Sequence, residues 1–167
     1  MPLLHADLRC EEGAKMITIL YVDDEPALLE LVRLFLERSG EFQVATSTSA
    51  REVLSSPAIR SYDAIISDYQ MPDMDGIAFL KAVREQFGEM PFILFTGKGR
   101  EEVVIEAINT GADFYVQKGG DPKALFADLA HKVRQAVRRR RAEASLAEQE
   151  QRNYDLQNAN DLIQSVA

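Results

Sequence analysis

The stretch "DAIISDYQMPDMDG" (63–76) passes from a short apolar run into a group of aspartates. Residues 63–67 have the length and the isoleucine content of a buried strand, and Asp68 stands immediately after them. The following "MPDMDG" is typical of a turn, in which Gly76 is expected to supply conformational freedom before a helix begins. The stretch therefore predicts a strand, a carboxylate at its carboxyl end, and a helix that begins near Gly76.

The same alternation of apolar runs and helical patterns extends over most of the chain. Short runs rich in Ile, Leu, Val and Phe predict five strands: 17–22, 42–47, 63–67, 91–96 and 112–117. Apolar residues at helical spacing predict five helices, which follow Pro26, span 49–56, 76–87 and 100–111, and begin at Asp121-Pro122. Parallel strands need crossover connections, and strands with little polar alternation suit a sheet covered on both faces. We therefore predict an α/β fold with a doubly wound, five-stranded parallel sheet and five helices.

Polar side chains stand where four of the predicted strands end: Asp23 and Asp24, Asp68, Thr96, and Lys118. The carboxyl ends of parallel strands meet at one edge of a sheet, where ligands bind in such folds. A single aspartate after a strand often only caps a helix or begins a turn, but convergence from four strands indicates a site. Clustered carboxylates with room for water suit Mg²⁺, and a carboxylate can act as a nucleophile toward a phosphoryl group.

Four segments carry a resemblance to a known family: "ILYVDDEP" (19–26), "DAIISDYQMPDMDG" (63–76), "FILFTGKG" (92–99) and "GADFYVQK" (111–118). In this order and spacing they resemble the receiver domain of two-component response regulators, over roughly residues 16–135. The resemblance implies a flavodoxin-like sheet of strand order 2-1-3-4-5 and a Mg²⁺ cofactor. It also implies a phosphorelay protein that is not an enzyme beyond catalysing its own phosphorylation and dephosphorylation.

The resemblance assigns roles to the acidic strand ends. Asp68 is the implied phospho-acceptor and, together with Asp24 and the backbone carbonyl of Gln70, an implied ligand of Mg²⁺. Asp23 is implied to help hold the ion, through water. Gln70 and Lys98 stand where residues of this family tune the lifetime of the phosphoryl group.

The resemblance also implies a switch that follows phosphorylation. Thr96 would hydrogen-bond the phosphoryl oxygens and Lys118 would pair with them, while Tyr115 on strand five turns into the space that the threonine leaves. The change is expected on the surface formed by the fourth helix, strand five and the last helix, where a partner would bind. Lys118 is followed by Gly119-Gly120, where the family usually has proline.

Three other interpretations share parts of this pattern. A DNA-binding response regulator would carry the same receiver, but no helix-turn-helix pattern follows it here. An aspartyl-phosphate phosphatase also uses a strand-end aspartate, but it needs a second acid where this chain has Gln70. A calcium-binding loop around Asp73 and Asp75 would need acids at positions 71 and 82, which are Met and Ala.

Composition and charge narrow the class of protein. The 167 residues are 46% hydrophobic and 28% charged, which is typical of a globular protein. The net charge of −8 argues against a nucleic-acid partner, and the basic run Arg138–Arg141 is interpreted as a solvated part of a helix. No apolar run approaches the roughly 20 residues of a membrane span, and the lone Cys10 excludes an intramolecular disulfide. We expect a cytoplasmic protein without a membrane partner.

The predicted organisation is an N-terminal extension over 1–15, the receiver over 16–135, a helical linker over 136–152, and a truncated PAS-like start over 153–167. The last part rests on "NYDLQNANDLIQSV", which resembles the opening of a PAS sensor domain. The expected partners are a histidine kinase or phosphotransfer protein as donor, and a downstream sensor or output domain. Apolar positions after Val137 are few for a coiled-coil seam, so homodimerisation through the tail is left open.

Overall fold

The computed structural model describes residues 15–97 and 101–166, in which five strands and five α helices alternate. In chain order they are β1 (Ile17–Val22), α1 (Pro26–Glu37), β2 (Phe42–Ser47), α2 (Ala50–Ser55), β3 (Ala64–Ser67), α3 (Gly76–Phe87), β4 (Phe92–Thr96), α4 (Glu101–Thr110), β5 (Phe114–Gln117) and α5 (Pro122–Val166). All five predicted strands form. A short 3-10 helix over Pro57–Ser61 was not predicted; Pro57 stands in its first turn, where proline needs no hydrogen-bond donor.

The strands form one parallel sheet of order β2-β1-β3-β4-β5, which confirms the predicted doubly wound fold. Val22 at the end of β1 pairs with Ser67 at the end of β3. Thr96 at the end of β4 pairs with Gln117 on β5. Because the strands end at matched positions, the residues that follow β1 and β3 leave the sheet side by side.

Helices cover both faces of the sheet, and each face has its own hydrophobic core. One core lies under α1 and α5, and it includes Tyr21, Phe95 and Phe126. The other lies under α2, α3 and α4, where the rings of Phe79 and Phe92 meet nearly edge to face with centroids 5.5 Å apart. Each fully buried large side chain of this kind stabilises the fold by about 1.5–3 kcal/mol.

Helix α5 is one continuous helix that passes through the predicted boundaries at 135 and 152. Its apolar face is buried from Phe126 to Val137, and residues 142–166 are exposed. Arg134 Nε donates to both carboxylate oxygens of Glu41 at 2.8 Å. The predicted solvation of the basic run does not hold for Arg141, whose guanidinium lies 3.3 Å from Asp63 Oδ2. Helix α5 is therefore tied to the amino-terminal edge of the sheet as well as to its face.

Within residues 15–97 and 101–166, no helix is both long enough and apolar enough to cross a membrane.

Candidate functional site

Two of the predicted strand-end carboxylates, those of Asp23 and Asp68, lie beside the ammonium group of Lys118. Lys118 Nζ lies 2.8 Å from Asp23 Oδ2 and 3.3 Å from Asp68 Oδ1. Backbone hydrogen bonds join the strand ends in pairs, since Asp68 N donates to Val22 O at 2.9 Å and Lys118 N donates to Thr96 O at 2.7 Å. Residues from the ends of β1, β3 and β4 and from the loop after β5 thus meet at one edge, as the parallel topology predicts.

Asp23 is wholly buried, and both of its carboxylate oxygens accept hydrogen bonds from the protein. Its Oδ2 accepts from Lys118 Nζ and from the Tyr21 hydroxyl, each at 2.8 Å. Its Oδ1 accepts from the backbone N–H of Glu25 at 3.0 Å. A buried charge is tolerated only where such donors replace water. Asp23 therefore serves as the fixed anchor of Lys118.

Tyr21 is a site residue that sequence reasoning did not find. Burial and the neighbouring Asp23 charge raise the pKa of Tyr21, so its hydroxyl stays protonated and donates. In a strand rich in aliphatic residues, a tyrosine is interpreted as a core residue, and the ring of Tyr21 is indeed fully buried. The available signal was its position two residues before Asp23, because alternate residues of a strand face the same side.

Asp68 is also buried, at the end of β3. Burial raises the pKa of the Asp68 carboxyl, and the charge on Asp23 adds to this effect, whereas the Lys118 ammonium opposes it. Its Oδ1 accepts a hydrogen bond from the backbone N–H of Tyr69 at 2.9 Å. The enclosed Asp68 carboxylate thus lies beside the Lys118 cation. This arrangement suits a nucleophile that attacks a negatively charged group.

Gly76 holds Asp68 in place for a different reason from the one predicted. Its φ is not in the left-handed region, so conformational freedom is not what requires glycine there. A Cβ at this position would collide with the backbone carbonyl of Asp68 and would lie 2.7 Å from the Leu94 side chain. Gly76 N donates to Tyr69 O at 2.8 Å, so the start of α3 lies directly against the end of β3. Asp75 is the N-cap, since its Oδ1 accepts from Ala78 N at 2.7 Å.

The acidic residues after β1 fit the oxygen donors that Mg²⁺ prefers. The carboxylates of Asp23, Asp24 and Glu25 offer ligand atoms within 4.8 Å of one another. Glu25 was not among the predicted metal ligands. Asp24 is exposed, and with Gln70 it lines an open cleft of about 440 Å³ at the edge of the sheet. A few carboxylates and carbonyls beside space for water match the incomplete protein shell typical of Mg²⁺.

The predicted switch residues lie on neighbouring strands. Thr96 is buried at the end of β4. Tyr115 lies on β5 and pairs with Leu94 of β4. The Tyr115 side chain is half-buried, and its hydroxyl is enclosed without a hydrogen-bond partner among the residues that the structure describes. Burial raises the pKa of the Tyr115 hydroxyl. Lys98, predicted to tune the phosphoryl lifetime, lies outside the described residues.

The loop after Lys118 departs from the usual family pattern in a way that its geometry explains. Gly119 and Gly120 have φ values of 134° and 79°. Proline is fixed near −65°, so it cannot take the backbone conformation found here. The glycines therefore allow a turn that still directs the Lys118 side chain toward Asp23.

Comparison with known proteins shows the family to which this chain belongs. The family model for the response regulator receiver domain matches residues 19–130. The response regulator Rre1 of Synechocystis sp. is 37% identical over 116 residues, which are 68% of this chain and 50% of that protein. The response regulator SaeR of Staphylococcus aureus is 34% identical over 110 residues, 66% of this chain and 47% of that protein. The chain thus spans about half the length of the curated relatives it matches.

The fold has close structural counterparts. A response regulator receiver domain protein from Clostridium thermocellum is 27% identical with a TM-score of 0.66, and the match covers 76% of this chain and 98% of that one. A CheY-like receiver domain protein from Methanospirillum hungatei is 28% identical with a TM-score of 0.64, covering 75% and 99%. Both matches cover almost all of the other chain and leave part of this one unmatched.

Proposed function

Because this chain belongs to the response regulator receiver domain family, we propose that it accepts a phosphoryl group on Asp68 within a two-component phosphorelay. The observation that carries the proposal is the pairing of buried Asp68 with Lys118, which is itself anchored by Asp23. The donor would be a histidine kinase or a phosphotransfer protein that meets the receiver in the cytoplasm.

In the proposed step, an oxygen of the ionised Asp68 carboxylate attacks the phosphorus of a phosphohistidine. A new oxygen–phosphorus bond forms as the nitrogen–phosphorus bond breaks, and the leaving imidazole nitrogen keeps the electron pair and takes up a proton. Lys118 holds Asp68 ionised and then faces the added negative charge. Asp24, Asp68 and the Gln70 carbonyl would hold Mg²⁺, with Asp23 helping to hold it through water, and the bound ion would supply further positive charge to the transferring group.

We propose that phosphorylation is read out through Thr96 and Tyr115. The Thr96 hydroxyl would bond the phosphoryl oxygens, and the Tyr115 ring would fill the space beside β4. The Tyr115 hydroxyl is enclosed without a hydrogen-bond partner among the described residues, so a hydrogen bond to an acceptor would stabilise the shifted state. The shift of a pre-existing equilibrium would then alter the surface of α4, β5 and α5, where Ile105 and Ile108 are exposed.

Gln70 and Lys98 would tune how long the phosphoryl group survives. Gln70 would contribute to the metal through its backbone carbonyl, so its exposed side chain remains free to control the approach of water. We expect Gln70→Ala to change the half-life of the acyl phosphate by a larger factor than it changes Mg²⁺ affinity. Equal factors in the two measurements would contradict this division of roles.

The output of the receiver is proposed to pass to a sensor or output domain through α5, either within one chain or in a homodimer. A receiver attached to a DNA-binding domain is the alternative, and it would use the same chemistry at Asp68. A phosphatase is less well supported, because Gln70 occupies the position where such an enzyme needs an acid.

The proposal is tested by incubating the protein with Mg²⁺ and a small phosphodonor and measuring intact mass. We expect one added phosphoryl group on the wild type and none on Asp68→Asn. Asp75→Asn is the matched control, since Asp75 lies near the site and asparagine also caps a helix. Unchanged labelling of Asp68→Asn, or no labelling of a folded wild type, would overturn the proposal.

A further inference from the structure

Asp23 Oδ2 is shared by two donors that reach it from different parts of the chain. The Tyr21 hydroxyl comes from β1 itself, and Lys118 Nζ comes from the loop after β5, both at 2.8 Å. Asp23 has no exposed surface, so water does not compete for this oxygen. Leaving a buried carboxylate oxygen without donors is costly, and either donor alone reduces that cost.

The two donors differ in how free they are to move. The Tyr21 ring is fully buried and packs against Phe95, with ring centroids 6.1 Å apart. Lys118 has a flexible side chain whose Nζ lies over the same Phe95 ring at 5.5 Å and also lies 3.3 Å from Asp68 Oδ1. Lys118 can therefore shift from Asp23 toward a group on Asp68, whereas Tyr21 stays where it is.

From this geometry we infer that Tyr21 is a positioning residue, which keeps Asp23 hydrogen-bonded when Lys118 turns toward a phosphoryl group on Asp68. The inference rests on the proposed function, because the phosphoryl group is what draws Lys118 away. Without the Tyr21 hydroxyl, every shift of Lys118 would leave Asp23 Oδ2 without a donor from the part of the chain that the structure describes. The hydroxyl thus lowers the free-energy cost of releasing Lys118, and it does so without touching the transferring group.

A double-mutant cycle in metal-free buffer tests whether the two donors substitute for each other. Tyr21→Phe removes only the hydroxyl, and Lys118→Met removes the ammonium at similar size. We expect the double variant to lower the folding equilibrium constant about tenfold more than the product of the two single effects. The reason is that only the double variant removes both donors to Asp23 Oδ2. Tyr62→Phe, a partly buried tyrosine of the opposite core, combined with Lys118→Met, should give the simple product. A simple product for Tyr21→Phe as well would overturn the inference.

Binding of beryllofluoride, a stand-in for the phosphoryl group, tests the consequence at saturating Mg²⁺. We expect Tyr21→Phe to weaken beryllofluoride binding about tenfold, while Tyr62→Phe binds like the wild type. If the wild type binds and Tyr21→Phe binds equally well, the inference is wrong whatever the cycle gives. If a folded wild type does not bind beryllofluoride, the proposed function fails instead, and the inference fails with it.

Discussion

Lys118 Nζ and Asp23 Oδ2 form a 2.8 Å ion pair although the two residues are 95 positions apart in the sequence. Strands β3 and β4 lie between their strands in the sheet, so the lysine side chain spans the site to reach the carboxylate. The Asp23 side chain is fully buried and that of Lys118 is 17% exposed, which shields the pair from solvent screening. The pair thus connects the segments that follow β1 and β5, at the site where the phosphoryl chemistry is proposed.

We expect Lys118→Met to lower the free energy of unfolding of the metal-free protein by about 3 kcal/mol, because it leaves two buried carboxylates without their cation. Lys132→Met is the matched control, since Lys132 pairs with Asp128 at the same 2.8 Å but both side chains are more exposed. That exposed pair should contribute less than about 1 kcal/mol. Urea unfolding of both variants makes the comparison, and similar losses would show that Lys118 is not held as described.

The pH dependence of stability should report the raised pKa of Asp68. Folded Asp68 binds its proton more tightly than the unfolded chain does, so its contribution lowers stability as the pH rises from 3.8 through the raised value. In metal-free buffer we expect Asp68→Asn to be more stable than the wild type at pH 7, with the difference shrinking as the pH falls toward 3.8. Asp75→Asn controls for the loss of one negative charge, and a gain of equal size in both variants would contradict the prediction.

Gly76→Ala should destabilise the protein by about 1–3 kcal/mol, because the new Cβ overlaps the carbonyl of Asp68 and the backbone must shift. Gly97→Ala is the control: among residues 15–97 and 101–166, no atom lies within 4 Å of a Cβ built there, and its φ is not positive. We expect that change to stay within about 0.5 kcal/mol. Thermal and urea unfolding distinguish the two, and a Gly76→Ala protein as stable as Gly97→Ala would mean that α3 need not approach β3 so closely.

Truncation after Arg141 should leave the free energy of unfolding within about 0.5 kcal/mol of the full chain, because residues 142–166 are exposed and contribute no core. Unfolding measured at two protein concentrations, together with light scattering, checks this. A loss of stability that grows with protein concentration would show instead that the tail pairs with a second copy.

The strand ends and their convergence could be predicted because both follow from simple periodicity. Apolar runs of strand length mark β1, β3 and β4, and parallel topology brings Asp23, Asp68 and Thr96 to one edge. Tyr21 was not predicted because its ring is buried like any core residue, and the direction of its hydroxyl depends on the tertiary structure. Glycine at 76 was expected, but its reason depends on how closely two elements pack, which no local pattern encodes.

The end of α5 was harder to predict for an energetic reason. Ala, Glu, Gln and Arg continue past residue 137 with strong helix propensity, so composition gives no stop signal. The backbone remains helical to Val166, so the predicted extension of the last helix is present, and the domain boundaries at 135 and 152 stay predictions. Arg141 was misjudged because charge runs are usually solvated, whereas this helix happens to carry it over Asp63.

The long exposed end of helix α5 would amplify small movements of the receiver. Phe126 and Val133 pack the first part of the helix against the sheet. Ion pairs of Arg134 and Arg141 hold the helix where it leaves the sheet. From Arg141 to Val166 the exposed part of the helix is about 38 Å long, so a tilt of about 5° at Arg141 moves its far end by about 3 Å. A small change of packing within the receiver would therefore displace the far end of the helix by about the width of a side chain.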